Sequence, residues 1–247
     1  MFGTLLGAVR HSGFIPWDDD LDIAMERSEY NKFLKYASLE LNKKFFLHTD
    51  HTDKRYFVPF ARIRMNNTIF IPAIYEKADF CHNGIWIDIF PLDFANSPDT
   101  CYESIRYCLM RYVLRPLAAY SILPVDKKAS LKRKIVSQIA KMIQLKSILK
   151  LIKKVSRNST NGDYYVCFGS PYTKAKSYFP KIYFEKGIKK SFEGIYCNIP
   201  IEYDKILKIL YNDYMKMPPK NERIGHIPIK FDCSHVEVIN ITDRIKE

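Results

Sequence analysis

The chain has 247 residues, of which 47% are hydrophobic and 14% aromatic, and its formal net charge is +12. This is ample for the core of one large domain, and no apolar run approaches the roughly 20 residues that a membrane-spanning helix needs. The six cysteines form no C-x-x-C pair and follow no regular spacing, which argues against a zinc site or a disulfide framework and fits a reducing compartment. We therefore expect a cytoplasmic protein.

The first motif occupies residues 3–25 and reads GTLLGAVRHSGFIPWDDDLDIAM. Gly3 and Thr4 open a short apolar helix that is predicted to stop at Gly13. A glycine ahead of a helix lets the backbone approach a ligand, and the free N–H groups and the helix dipole attract phosphate oxygens. Gly3 and Thr4 are therefore candidate phosphate-binding residues.

The same motif ends in an acidic run that leads into an apolar strand. Side chains alternate along an extended chain, so Asp20 and Asp22 are predicted to project from the same face. A hard divalent cation bound through carboxylate oxygens relieves the repulsion between two such groups. The apolar flanking residues favour a metal site, and a solvated acidic turn is the alternative.

The next predicted elements are a helix from Ser28 to about Leu41, with Ser28 as its cap, and a series of strands. The strand candidates are 45–48, 56–65, 68–74 and WIDIF at 86–90, with Asn66-Asn67 as a hairpin turn between the second and third. Asp88 lies in the buried run WIDIFPLD, where a lone carboxylate is costly unless it is paired or metal-bound. Asp88 is therefore the candidate third metal ligand, and Asp93, after a proline, is expected in a loop as a less favoured one.

A helix is predicted from Asp99 or Thr100 to about Ala119, followed by a basic segment at residues 127–157. The segment has eleven Lys or Arg residues and no acidic ones, so it carries nearly all of the net charge. Its aliphatic residues recur at helical spacing, with a predicted break near Leu145-Lys146. Two interpretations stay open: a helix packed on the core with a solvated lysine face, or a helix bound to an anionic membrane surface. Nucleic acid is not expected, because the segment lacks aromatic residues and a recognition motif.

The remaining chain predicts a loop at 158–162, short strands within 164–200 and a helix over Tyr203–Met215 that ends at two prolines. The fold class is α+β, a small mixed sheet flanked by helices, with a helical insertion and a C-terminal helical part. We divide the chain into a catalytic core, a basic helical insertion and a part that completes one continuous domain, at residues 1–98, 99–160 and 161–247.

Three stretches resemble the LicD family, which includes bacterial phosphocholine transferases, fukutin and fukutin-related protein. They are the motif at 3–25, WIDIFPLD, and the run 192–219, FEGIYCNIPIEYDKILKILYNDYMKMPP. The resemblance implies a nucleotidyltransferase-like fold and transfer of a phosphorylated alcohol, with phosphocholine foremost, from a CDP-linked donor to a glycan or lipid-linked glycan. It also implies that Asp20, Asp22 and Asp88 are catalytic and hold Mg²⁺, with Mn²⁺ as the alternative ion.

Further candidates for phosphate contacts are Arg10, Arg62 and Arg64, since guanidinium forks match phosphate oxygens, and His226, which has a family-like position. Family members carry several dozen residues before the Gly-Thr pair, so the resemblance implies a shortened N-terminus. Asn212 stands where the family usually has glycine, and asparagine tolerates a left-handed backbone. The alternative functions are transfer of the nucleotide itself to a small molecule or protein, and a non-catalytic protein that binds a membrane surface or a glycan-synthesis partner. The expected cytoplasmic location includes a peripheral position at the inner face of the cell membrane.

Overall fold

The computed structural model describes residues 1–78, 80–125, 129–157, 159, 161–225 and 228–235. Its helices are α1 (Phe2–Arg10), α2 (Arg27–Glu40), α3 (Cys101–Cys108), α4 (Arg115–Ile122), α5 (Leu131–Met142), α6 (Leu145–Ser156) and α7 (Tyr203–Tyr211). The π-helical stretch Leu109–Leu114 joins α3 to α4. The strands are β1 (Asp22–Glu26), β2 (Phe45–His48), β3 (Ala61–Met65), β4 (Ile69–Pro72), β5 (Trp86–Ala95), β6 (Tyr164–Val166), β7 (Tyr178–Pro180), β8 (Gly187–Phe192), β9 (Ile195–Pro200) and β10 (Pro228–Asp232).

The main sheet is mixed and centres on β5, as an α+β fold with a small mixed sheet requires. The first half of β5 pairs antiparallel with β3, which in turn pairs with β2. β1 lies parallel to β5, and the last residues of β5 pair with β6, which pairs with β7. Two small antiparallel pairs, β4 with β10 and β8 with β9, complete the strands of the described part.

The two faces of the sheet differ because side chains alternate along each strand. One face is apolar and packs against α2, through residues such as Tyr30, Leu47, Ala61 and Ile89. The other face carries charged residues at the start of β5 and large apolar residues further along it. Phe90 and Leu92 on that second face join a core cluster with α1 and α7.

The helices between β5 and β6 form a second core with the sheet. Met110, Leu114, Ile148 and Ile152 are buried together with Phe168 and neighbouring residues. The break in the basic segment falls at Ile143 and Gln144, between α5 and α6, close to its predicted place. Within the described part, no helix combines the length and the apolar character that crossing a bilayer demands.

Several sequence predictions differ from the structure. The hairpin predicted at Asn66-Asn67 is wrong, because β3 pairs with β2 and β5 while β4 pairs with the distant β10. Asn67 does adopt the positive φ of 60° that a tight turn uses. The predicted turn is therefore present, but the strands on its two sides do not pair with each other. Ser28 lies inside α2, whose N-cap is Glu26, and Ser28 Oγ donates to the Glu26 side chain.

The C-terminal helix is also shorter than predicted, since α7 ends at Tyr211. Asn212 follows it with φ 58° and ψ −112°, so it has the positive φ that glycine tolerates, but its ψ lies outside the left-handed helical region that we expected.

Candidate metal and phosphate site

The charged face of the main sheet carries a row of four polar residues on four adjacent strands. His48 on β2 lies opposite Arg62 on β3, Arg62 lies opposite Asp88 on β5, and Asp88 lies opposite Asp22 on β1. Residues in register on one face of neighbouring strands have adjacent side chains. The strand pairing therefore brings Asp22 and Asp88 together although 66 positions separate them in the sequence.

Asp22 is the buried member of the acidic run, with 8% of its surface exposed. Burial, and then the charge of Asp20, raise the pKa of Asp22 to about 8. Asp88 and Asp18 contribute in the same direction, so three carboxylates lie within electrostatic range of Asp22. A buried carboxylate with a pKa raised by other carboxylates is a site that gains from a bound cation.

Asp20 itself does not lie in the strand. β1 begins at Asp22, so Asp20 lies just before it, half-buried, while Asp19 is exposed. The sequence predicts that both members of the Asp-x-Asp pair lie in a strand. In the structure Asp22 is the first residue of β1, and Asp20 precedes the strand. The electrostatic effect of Asp20 on Asp22 nevertheless puts the two carboxylates at one site.

Asp88 is held by Arg62. The Arg62 Nε donates to Asp88 Oδ1 over 2.6 Å, while Nη2 lies 3.5 Å from Oδ2 and donates to the Tyr75 hydroxyl over 3.2 Å. Both side chains are buried, and the guanidinium lies over the rings of Tyr75 and Trp86. Because the strong hydrogen bond uses Oδ1, the Oδ2 atom keeps most of its capacity to accept a further ligand.

Arg62 was predicted to contact phosphate; the structure pairs it with Asp88, and its contact with phosphate stays a prediction. Its Nη1 is buried and has no hydrogen-bond partner in the described part of the chain, and the same is true of Trp86 Nε1 and Tyr56 Oη. Buried donors without partners are uncommon in folded proteins. The sequence did not single out Tyr56 and Trp86, although the position of Trp86 two residues before Asp88 on one strand predicts that both share a face.

Arg64 has a different role from the one predicted. It is 1% exposed, its Nε donates to His48 Nδ1 over 2.7 Å, and its Nη1 donates to the Gly84 carbonyl over 2.8 Å. Since Nδ1 accepts, a neutral His48 carries its proton on Nε2 and donates it to Asp53 Oδ2 over 2.9 Å. Burial lowers the pKa of His48 to about 4, which keeps the ring neutral at physiological pH.

His48, Asp53 and Cys81 lie close enough together for one metal ion to be considered. Both ring nitrogens of His48 are already used in hydrogen bonds, and the Arg64 cation lies against the ring. Burial also raises the pKa of the Cys81 thiol to about 11, which disfavours the thiolate that a metal needs. This cluster is a structural hydrogen-bond network.

The glycine–threonine pair lies within the first turn of α1, which begins at Phe2, so the predicted loop ahead of the helix is wrong. Thr4 Oγ1 accepts a hydrogen bond from the Asp22 backbone N–H over 2.8 Å and so fixes the start of β1 against the helix. A Cβ atom at Gly3 would clash with the Asp18 carboxylate, which explains the glycine there. The helix start therefore lies at the carboxylate site, where its dipole favours negative charge.

Of the other two predicted phosphate contacts, Arg10 does not reach this arrangement. Arg10 lies at the other end of α1, about 9 Å along the helix from Thr4, and its Nη1 donates to the Tyr214 carbonyl over 2.7 Å. His226 lies outside the described residues.

Asp93 lies in β5 and not in a loop. It is five residues beyond Asp88 on the same strand, so alternation puts it on the opposite face. There it is 2% exposed and holds Arg27 through two hydrogen bonds of 2.7 and 2.9 Å. This pairing excludes Asp93 from the carboxylate site and makes it a structural ion pair beneath α2.

Carboxylates on two adjacent strands beside the start of a helix form the type of site that metal-dependent nucleotidyltransferases use. A family model described as LicD/FKTN/FKRP, nucleotidyltransferase domain, matches residues 1–117, which include Asp20, Asp22 and Asp88. The chain is 33% identical over 228 residues to the lipopolysaccharide cholinephosphotransferase LicD of Haemophilus influenzae, and the match covers 91% of this chain and 84% of the relative. The chain therefore belongs to the LicD family.

A second relative is an uncharacterized protein of Rickettsia typhi. It is 36% identical over 131 residues, which cover 53% of this chain and 37% of the Rickettsia protein.

Proposed function

We propose that the chain transfers phosphocholine, or a closely related phosphorylated alcohol, from a CDP-activated donor to a hydroxyl of a cell-surface glycan precursor. The reaction class follows from the family: the chain is a transferase of phosphorus-containing groups. The observation that carries the proposal is the register of Asp22 with Asp88, which places two buried carboxylates side by side with Asp20 next to them.

The donor set fits a hard divalent cation. Asp20, Asp22 and Asp88 offer only carboxylate oxygens, and burial followed by the charge of Asp20 raises the pKa of Asp22 to about 8, although the Met1 ammonium opposes this shift and Arg62 pairs with Asp88. We propose that these three residues hold Mg²⁺, with Mn²⁺ as the alternative. When bound, the ion would neutralise charge that develops on the diphosphate of the donor.

The chain supplies further groups for an anionic donor. Among the described residues, Arg62 Nη1, Trp86 Nε1 and Tyr56 Oη are buried donors without a hydrogen-bond partner, and the start of α1 adds its dipole. We assign these groups to orienting the donor, so that its phosphorus faces the acceptor hydroxyl. Asp19 is the exposed carboxylate of the run, so we assign to it the acceptance of the proton from that hydroxyl.

The experiment is a comparison of two donors in the presence of Mg²⁺ and a glycan acceptor. The protein is incubated with CDP-choline or with CTP, and the products are identified by mass spectrometry. Phosphocholine on the acceptor together with free CMP supports the proposal. A nucleotide on the acceptor, from either donor, would instead establish the alternative nucleotidyl transfer, because the same three carboxylates serve both reactions.

The matched controls use two aspartates of different location. Asp22→Asn removes a carboxylate of the site, whereas Asp204→Asn removes an exposed carboxylate on α7 that pairs with Lys208. We expect transfer to be lost only in the first variant. Absence of any transfer by the unchanged protein with both donors would reject catalysis by this chain.

A further inference from the structure

The helix α5 presents its large aliphatic residues to solvent. Leu131, Ile135, Ile139 and Met142 recur at steps of four, four and three, and 73%, 46%, 48% and 86% of their surfaces are exposed. This spacing places all four on one face of an α-helix. An amphipathic helix of a globular protein normally turns such a face towards the core, whereas α5 turns it towards solvent.

The opposite face of α5 is the buried one. Ser137 and Ala140 are 4% and 0% exposed where α5 packs against α4. Small residues at this contact let the two helices approach closely. The orientation of α5 is therefore fixed by its contact with α4, and the aliphatic stripe is left on the outside.

The neighbouring helix α6 shows that this is not a property of the whole basic segment. Its aliphatic residues Ile148, Leu149 and Ile152 are 3% to 6% exposed and belong to the core formed with Met110 and Leu114. Of the two interpretations of the basic segment, a helix packed on the core is the one that fits α6. Of these two described helices, α5 is the one whose apolar face needs another partner.

The exposed stripe shares α5 with exposed cations, and the following helix α6 carries more of them. Arg133, Lys134 and Lys141 of α5 are exposed, as are Lys146, Lys150 and Lys154 of α6, and residues 129–157 include no acidic residue. Two copies of this face placed against each other would bring like charges together, which disfavours self-association. An anionic bilayer complements both properties, because its interior is apolar and its headgroups are negatively charged.

From this we infer that α5 is the membrane-docking element of the protein, which lies in the headgroup region of an anionic bilayer through Leu131, Ile135, Ile139 and Met142. The flanking cations contact the lipid headgroups. Such docking would hold the carboxylate site near a lipid-linked acceptor, and this last link alone depends on the proposed function.

The test is sedimentation of the whole chain with lipid vesicles. The probes are vesicles of phosphatidylcholine alone and of phosphatidylcholine mixed with phosphatidylglycerol. The docking variant is Ile135→Gln/Ile139→Gln/Met142→Gln, in which glutamine preserves helix propensity. The matched control is Leu39→Gln/Ile74→Gln/Leu151→Gln, which removes aliphatic side chains of similar exposure, 76%, 71% and 44%, from other elements.

We expect the unchanged protein and the control variant to bind the anionic vesicles. The docking variant should bind them roughly a hundredfold or more weakly, since three aliphatic side chains no longer enter the lipid. Raising the salt concentration should release the unchanged protein, because the Debye length falls from about 10 Å at 0.1 M to about 3 Å at 1 M. Turnover of a soluble acceptor analogue should be the same in all three proteins, so that loss of docking is distinguished from loss of catalysis.

Three results would overturn the inference. They are equal binding to neutral and anionic vesicles, unchanged vesicle binding by the docking variant, and a dimer in analytical ultracentrifugation that the docking variant alone abolishes. The last result would assign the stripe to self-association.

Discussion

The polar row across the main sheet is buried at both ends, but the two ends differ in how far their neighbours satisfy the polar group. At the β2 end, His48 is a neutral ring between Arg64 and Asp53, and every polar atom of the ring has a partner. At the β1 end, Asp22 lies next to other carboxylates, and burial with the charge of Asp20 raises its pKa to about 8. The hydrogen bonds of His48 stabilise the fold, whereas a charged Asp22 carboxylate costs free energy in the absence of a cation.

The difference shows how a functional site can be recognised within a polar cluster. Fully paired groups, such as Asp53 with His48 or Asp93 with Arg27, have a structural explanation. Groups whose environment disfavours their charged form persist where a ligand supplies what the protein does not. Asp88 joins the two ends, because it pairs with Arg62 on one side and lies beside Asp22 on the other.

The largest expected effect is on catalysis at the β1 end. Asp20→Asn and Asp22→Asn should each lower the rate of transfer by about a thousandfold, since the carboxylates that hold the proposed ion are lost. The melting temperature without metal should stay unchanged or rise, because repulsion within the cluster is removed. Rate measurements and thermal denaturation of the same samples check both parts. A variant that keeps near-full activity while Mg²⁺ is still required would remove that residue from the site.

Asp88→Asn should differ from Asp22→Asn in stability. Removal of the Asp88 charge leaves the Arg62 guanidinium, 3% exposed, without its counterion. Breaking a buried ion pair in this way costs about 3–5 kcal/mol. Urea denaturation should therefore show a large loss for Asp88→Asn beside no loss for Asp22→Asn, and equal stabilities would contradict the asymmetry between the two ends.

The β2 end should make the protein sensitive to acid. The pKa of His48 is about 4 in the folded protein, mainly through burial, and 6.5 is its ordinary value. Between these values the unfolded chain binds more protons, so the free energy of unfolding falls as the pH is lowered, by up to about 3 kcal/mol in total. Denaturation at several pH values should show a smaller loss over this range in His48→Gln, which keeps a donor for Asp53 and does not titrate. An unchanged pH dependence in that variant would assign the acid sensitivity elsewhere.

The smallest expected effect is the pH dependence of metal binding at the β1 end. A proton and the ion compete for Asp22, whose pKa is about 8. The apparent affinity for Mg²⁺ should rise with pH, by up to about tenfold per unit below pH 8, and level off above it. Calorimetry in two buffers of different ionisation enthalpy should detect a released proton at neutral pH. A pH-independent affinity of the unchanged protein would contradict the raised pKa of Asp22.

Much of the local structure could be predicted from the sequence. The alternation of WIDIF indicated that Asp88 lies in a buried strand, and the aliphatic spacing predicted two basic helices with a break near residue 145. These predictions succeeded because the period of the side chains depends on backbone geometry within a few residues. The roles of Asp20, Asp22 and Asp88 as metal ligands stay predictions, although the structure places the three carboxylates at one site.

Only the tertiary structure decided which strands pair and which faces are covered. The same local signals at Asn66-Asn67 fit a hairpin, but β4 pairs with β10 because contacts distant in sequence determine the pairing. Arg62 and Arg64 are two residues apart on β3, but Arg62 bonds its register partner Asp88 on β5, whereas Arg64 bonds His48 diagonally across β2. The aliphatic stripes of α5 and α6 are alike in sequence, and the contact of α5 with α4 leaves one of them exposed while the other is buried. The sequence by itself determined the period of each pattern, and long-range packing decided what each pattern faces.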